Sequence, residues 1–393
     1  MSETKRVGIL VGGGDVPGLN MCLKSLVYGL TDLGYEPIGV RKGWEGLIHY
    51  NPRDPSTFSD HFIELTKNMV RPIDRTPGSF LHASRIDPRN TPRSQVPEFL
   101  QRNANDKTDL SGHIREVVER LGYRGLVVIG DDDTLQTAAH LSQQGVPLVA
   151  IPKTIHNNII GTDYSLGFST GLARGVAFIH ELRALAGSRE QILVVETFAA
   201  KSGLSALLMA FLSGADRALI PESPYDPEKL AALALQDKSQ TPANYAVILV
   251  TDGAQIVPEK AERYRDILQP DCDEEGRPIG TLTGSGITAA RLLAHITGQE
   301  VFYQPLTYLL RTGSPDGQDL LGAANFALTA AQLVNENRFG RMTAFVKNEM
   351  WTDVPLTPAI AGSKTVDVAA WYDQENYKPK LQMIWSLDQR STE

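Results

Sequence analysis

Cysteine is nearly absent from this chain. Cys22 and Cys272 are the only two, which excludes a disulfide framework and cysteine-based metal spacing and suits a reducing compartment. Positive charge is not in excess either: Lys and Arg number 38 against 46 Asp and Glu, a formal net charge of −8. That balance excludes a nucleic-acid footprint and leaves any phosphate ligand to be held by local cations. No apolar run approaches the roughly 18 residues of a membrane span. The start, MSETKRVGIL, goes straight into a strand pattern with no signal-peptide core. A cytoplasmic setting, with neither membrane nor nucleic acid as partner, is expected. Internal repeats and low-complexity segments are also missing.

What is present is an ordinary globular composition, 42% hydrophobic and 21% charged over 393 residues, enough for two lobes. Short apolar runs alternate with amphipathic segments. Val7–Val11, Leu126–Ile129, Pro147–Ile151, Gln191–Glu196, Arg217–Ile220 and Tyr245–Thr251 read as buried strands. Helices are expected from Leu19 to about Leu33, and over Lys107–Leu121, Ser169–Leu185, Ser202–Leu212, Pro227–Leu235 and Gly284–Gly298, the last stopped by Gly298. Residues from Asn51 to about Asp106 are rich in Pro, Asp, Arg and Asn and carry little periodicity. This alternation predicts an α/β protein with doubly wound parallel sheets.

Chemistry-bearing residues gather after the strands. Leu126–Ile129 runs into Gly130-Asp131-Asp132-Asp133-Thr134, and Pro147–Ile151 into Pro152-Lys153-Thr154-Ile155-His156-Asn157-Asn158. Ligands in open α/β sheets sit outside the carboxyl ends of strands. Carboxylates for a cation, with a lysine and a helix N-terminus for phosphate, point to phosphoryl transfer. The first strand empties into Gly12-Gly13-Gly14-Asp15-Val16-Pro17-Gly18-Leu19-Asn20, whose glycines let backbone N–H groups approach phosphate oxygens. That turn lacks the G-x-G-x-x-G spacing of a dinucleotide site, which argues against an oxidoreductase.

These motifs resemble the phosphofructokinase family, above all its pyrophosphate-using branch. Further matching stretches are Gly161-Thr162-Asp163…Gly167-Phe168, Arg41-Lys42-Gly43-Trp44-Glu45-Gly46, Thr76–Arg85 and Leu306–Asp319, and the tail with Val354-Pro355-Leu356 and Asn376–Pro379 also follows that branch. The resemblance implies two Rossmann-like lobes in the phosphofructokinase architecture. It places a phosphate-donor lobe at residues 1–166 plus about 311–360, and a sugar-phosphate lobe at 167–310 plus about 361–393. It implies donor contacts at Gly13, Gly14, Asp132, Asp133, Thr134 and Lys153, with Asp132 holding Mg2+, and sugar-phosphate contacts at Glu222, Tyr308 and Arg311. Catalysis is expected of Lys153, Thr154 and the residue at His156. Asp133 stands where the ATP-using branch has glycine and would crowd a nucleotide α-phosphate, so pyrophosphate is expected ahead of ATP. A homodimer or homotetramer is implied, with an active paralogue as a further possible partner.

The departures fall on the acceptor side. His156 stands where the family uses an aspartate base, and Asn158 replaces a second carboxylate. A histidine can act as a base near its reference pKa of about 6.5 but supplies no negative charge. Gln191 and Ala200 occupy positions of phosphate-gripping arginines, and Phe302 stands where a further one is aligned; Arg189 and Lys201 are nearby but out of register. Pro77 and His82 replace glycines. The expected function is transfer from pyrophosphate to fructose 6-phosphate or a related sugar phosphate, impaired or re-specified. The alternative is a non-catalytic binding or regulatory paralogue.

Overall fold

The structure, a computed structural model, describes residues 5–103, 106–268, 284–347 and 349–380. Cys272 and the end of the expected second lobe lie outside these. The chain divides into two compact units, one formed by 1–171 and 311–363, the other by 172–310 and 364–393.

The first unit is built on a seven-stranded sheet. Five strands run parallel in the order Arg341–Val346, Leu148–Pro152, Gly125–Gly130, Arg6–Val11, Glu36–Val40. Met350–Pro355 and Phe62–Glu64 close its edges antiparallel. The Gly125–Gly130 and Leu148–Pro152 strands are buried at every position, the pattern of a parallel sheet covered on both faces. Helices Leu19–Asp32 and Gly317–Asn335 pack together. The described residues between 51 and 106 form short 3-10 turns, the one-turn helices Phe58–His61 and Lys67–Val70, and brief strands.

The helix expected over Lys107–Leu121 begins only at Ser111. Thr91-Pro92 pairs antiparallel with Lys107-Thr108, and the Asp109 carboxylate accepts from Ser111 N at 2.8 Å, so the preceding residues are held extended. Local ladder bonds override the helical pattern there. The acidic turn is likewise more helical than expected: Asp131 is the N-cap and the helix Asp132–Gln143 starts directly after it.

The second unit carries a four-stranded, wholly parallel sheet in the order Val301–Pro305, Ile192–Thr197, Ala246–Thr251, Arg217–Leu219. Arg217 is buried and binds Asp237 through two hydrogen bonds of 2.6 Å. Its third contact, to the Asn376 carbonyl at 2.6 Å, ties the Tyr372–Pro379 hairpin to the sheet. Gly298 ends the Ser285–Thr297 helix in the left-handed conformation.

Asp319, part of the Leu306–Asp319 signature, is a structural tie rather than an open carboxylate. It is fully buried and accepts from Tyr164 Oη at 2.5 Å, Gly167 N at 2.7 Å, and Thr170 N and Oγ1 at 2.9 and 2.5 Å. Burial raises its pKa against the pull of those donors. Asp316 caps the same helix, and Ser169 donates to it at 2.6 Å. Asp319→Ala strands several buried donors at once, each costing about 1–3 kcal/mol. A loss of at least about 3 kcal/mol in urea unfolding is expected; a loss below about 1 kcal/mol would contradict this role.

Candidate active site

Three adjacent parallel strands end together, and their ladder extends one step past each end. Gly12 N donates to Ile129 O at 3.0 Å, and Lys153 N to Gly130 O at 2.9 Å. The glycine turn, the acidic helix start and the lysine loop are thereby set side by side. Gly13 has φ 77°, and a Cβ there would lie 1.9 Å from an Asp131 carboxylate oxygen. A Cβ on Gly14 would lie 1.5 Å from Arg311 Nη1 and 3.2 Å from Arg85 Nη2. At Gly13 the positive φ and the Asp131 carboxylate leave no room for a side chain, while at Gly14 the arginine side chains occupy that space.

Asp131 is committed inward. Its carboxylate accepts from Thr134 Oγ1 at 2.7 Å, Thr134 N at 3.2 Å and Gly14 N at 3.4 Å. Burial works against its charge, but Lys153 and these donors outweigh it and hold its pKa below the usual carboxylate value. Lys153 is fully buried, and its ammonium donates to the Gly14 carbonyl. Burial pushes its pKa down to about 8; Asp131 and Asp15 oppose that, while Arg311 and Arg85 add to it. The cluster therefore holds a cation at the edge of deprotonation, a state that an incoming phosphate anion would relieve.

His156 follows in the same loop. Thr154 is buried, and its Oγ1 accepts from His156 N at 3.1 Å, so Thr154 shapes the turn. Asn157 takes φ 52° and donates from Nδ2 to Asp163 O at 2.9 Å. His156 is half-buried, with Nδ1 fully covered and without a hydrogen-bond partner; Asn158 Oδ1 is in the same condition. Burial first and the Arg311 charge second lower the His156 pKa to about 4, against the pull of Asp132 and Asp131. The expectation of titration near 6.5 is thus corrected. The ring is neutral at pH 7, with a basicity close to that of a carboxylate.

Asp132 accepts from Ser363 Oγ at 2.5 Å. Ser363 lies 231 residues away in sequence and forms a backbone bridge with Ile159; no local pattern could have revealed it. Asn20 has a similar tying role. It donates to Thr76 O at 2.9 Å and Thr76 Oγ1 at 3.0 Å and accepts from Phe80 N at 2.9 Å, pinning the Thr76–Arg85 loop.

Arg311, expected among the sugar-phosphate contacts, lies in the first unit against Gly14. Glu222 and Tyr308 belong to the second. Both Glu222 oxygens accept from Gly203 N, at 3.0 and 3.1 Å, and one also from Val366 N at 2.8 Å. Tyr308 is 71% exposed, its ring edge-on to Phe198 at 5.0 Å. Gln191 precedes the first residue of its strand and donates to Glu300 Oε2 at 2.8 Å. Ala200 is exposed, with its backbone close against Gly253. Glu196, buried near the end of the Ile192–Thr197 strand, was not anticipated as a site residue. It accepts from Tyr303 Oη and from Gly286 N at 3.1 Å.

Glycine turns and a buried lysine gathered at the ends of parallel strands define an α/β protein with a strand-end site, and comparison with known proteins gives its family. Residues 6–334 match the family model for phosphofructokinase. The chain is 32% identical over 369 residues to the pyrophosphate–fructose 6-phosphate 1-phosphotransferase of Streptomyces coelicolor, covering 93% of this chain and 97% of that one. It is 30% identical over 361 residues to the ATP-dependent 6-phosphofructokinase of Chloroflexus aurantiacus, covering 91% and 92%. Among solved structures, the pyrophosphate-dependent phosphofructokinase of Nitrosospira multiformis superposes with a TM-score of 0.74 at 15% identity, covering 98% of this chain and 92% of that one. This chain belongs to the phosphofructokinase family.

His82, in the Thr76–Arg85 loop, has φ 59°. The loop thus keeps a left-handed backbone without the residue that adopts it freely, at a cost of about 1–2 kcal/mol. His82→Gly should raise stability by about 0.5–1 kcal/mol after the added unfolded-state entropy is subtracted. A destabilised variant in thermal or urea unfolding would contradict that reading.

Proposed function

We propose that this protein transfers a phosphoryl group from pyrophosphate to fructose 6-phosphate or a related sugar phosphate, with His156 as the base. The observation that carries the reading is the cluster itself: a fully buried Lys153 bonded to Gly14, flanked by Arg85 and Arg311, with a neutral imidazole in the next turn. Lys153, Arg85 and the Gly13-Gly14 backbone would hold the donor anion. His156 would accept the sugar hydroxyl proton, since a base of pKa about 4 is unprotonated at pH 7. Relatives that use pyrophosphate and ATP are similarly close, so preference for pyrophosphate rests on Asp133 at the helix start.

Among the described residues no group of three His, Cys, Asp or Glu could close around a metal. That fits magnesium, which keeps water and substrate oxygens and needs only one or two carboxylates. Asp132, with its carboxylate oriented by Ser363, would hold it. When bound, magnesium neutralises phosphate charge; positioning and proton transfer belong to the protein.

The second reading, a binding or regulatory paralogue, draws on the other unit. Gln191 is paired to Glu300, and Glu222 is occupied by backbone donors. Turnover of pyrophosphate and fructose 6-phosphate separates the two readings. Under the catalytic one, His156→Ala lowers kcat/KM by about 10²–10⁴. The pH profile also discriminates. Protonation of His156 disables the base only toward its pKa of about 4, and loss of the Lys153 cation begins near about 8. Once corrected for the ionisation of the phosphate substrates themselves, the kcat/KM profile should therefore stay level from about pH 5 to about 7.5. An inflection near 6.5, or a fully active His156→Ala protein, would refute the assignment.

A further inference from the structure

The N-terminal ends of the first-unit strands, opposite the glycine turns, carry a separate pocket. Arg6 opens the Arg6–Val11 strand whose other end leads into Gly12, so the two sites sit at opposite ends of one strand. The pocket has a volume of about 480 Å³, within the roughly 300–1,000 Å³ of small-molecule sites. Its charged groups are Arg6, Arg120 in the last turn of the Ser111–Arg120 helix, and Glu64 at the end of the Phe62–Glu64 strand.

Tyr50, Phe58 and Leu121 supply an apolar wall that is already formed. Tyr50 is buried, its ring edge-on to Phe58 at 6.3 Å and to Phe62 at 5.0 Å, and the Phe58 and Phe62 rings lie 4.9 Å apart at 30°. The rim between Pro52 and Pro55 is stiffened by Asp54, whose N–H donates to Asn51 O at 2.9 Å and whose carboxylate accepts from Ser56 N at 3.2 Å. Beside Phe62, with ring centroids 6.5 Å apart, Tyr123 is buried and its Oη has no hydrogen-bond partner. Burial raises the pKa of that hydroxyl, and the Arg6 charge opposes the rise. A guanidinium of the pocket therefore acts on an unsatisfied buried oxygen.

The charges are unevenly met. Arg120 has Glu116 one turn back on its helix at 2.9 Å. Arg6 has Glu36 at 3.6 Å, beyond hydrogen-bond length. Among the described residues no ion pair or hydrogen bond reaches the Glu64 carboxylate. Both signs are thus presented separately over one aromatic wall. A phosphate dianion would face Glu64 together with the Glu36 and Glu116 carboxylates that already attend the arginines. A bare carboxylate would leave Glu64 unmet, and a bare amine would leave the Arg6 donors unmet. We propose that this pocket binds a free α-amino acid with an aromatic side chain, its carboxylate on Arg6 and Arg120, its ammonium on Glu64 and its ring against Phe58. The site is independent of the phosphate chemistry at the other end of the sheet.

The test is calorimetric titration of the full chain with phenylalanine, with 3-phenylpropionate and 2-phenylethylamine, which each lack one of its charges, and with adenosine monophosphate. The wild type should bind phenylalanine at least about tenfold tighter than either single-charge analogue. Glu64→Gln should weaken phenylalanine at least about tenfold while moving 3-phenylpropionate by no more than about threefold. Arg6→Gln should weaken both. Both positions are solvent-exposed, and thermal unfolding checks that each variant folds. No heat from phenylalanine up to about 10 mM would overturn the proposal. So would 3-phenylpropionate binding as tightly as phenylalanine, or phenylalanine binding that neither variant weakens. Tighter binding of adenosine monophosphate, lost in Arg6→Gln, would make the pocket a phosphate site and overturn it too. The comparison among ligands on the wild type stands whether or not the variants fold.

Discussion

A fully buried ammonium is the constraint on which the cluster at the strand ends turns. Burying Lys153 without compensation would cost several kcal/mol, and the chain offsets that with the Gly14 carbonyl and the Asp131 and Asp15 charges. Each compensating group needs its own support. Asp131 can face Lys153 because Thr134 and Gly14 orient it, and Gly13 and Gly14 lack side chains because the carboxylate and the guanidinium groups occupy that space. The glycine turn, the capped helix and the lysine loop are one electrostatic unit held in register by three parallel strands.

The same electrostatics decide what His156 can be. A surface histidine would be partly protonated at neutral pH. Here burial and the Arg311 charge keep the ring neutral. A neutral imidazole with a pKa of about 4 keeps a basicity close to that of a carboxylate but carries no negative charge. The covered Nδ1 of His156 and Oδ1 of Asn158 fit this picture.

Strand positions and the loops after them were legible in the sequence because buried parallel strands and glycine turns have strong local signatures. The closeness of the Lys153 loop to the glycine and acidic turns was legible too, since a strand end fixes where its loop begins, but the presence of Arg85 and Arg311 beside them was not. The true start of the helix at Ser111 was not legible, because it depends on a ladder with Thr91-Pro92. Nor was the Ser363–Asp132 contact, which joins residues far apart in sequence. Asp319 read as a signature acid and proved to be a fully buried hydrogen-bond acceptor. The pKa of His156 was misjudged for a related reason: burial depth and the approach of Arg311 are properties of the folded chain.

Direct titration of Lys153 tests the central claim most sharply. With lysine side chains labelled at 15Nζ, Lys153→Met identifies the resonance, and its pH dependence is followed with and without pyrophosphate and magnesium. In the free protein Lys153 should titrate near its depressed value of about 8, and pyrophosphate should raise it as the anion stabilises the ammonium. A Lys153 that titrates near 10.5 in the free protein and does not respond to pyrophosphate would contradict the account.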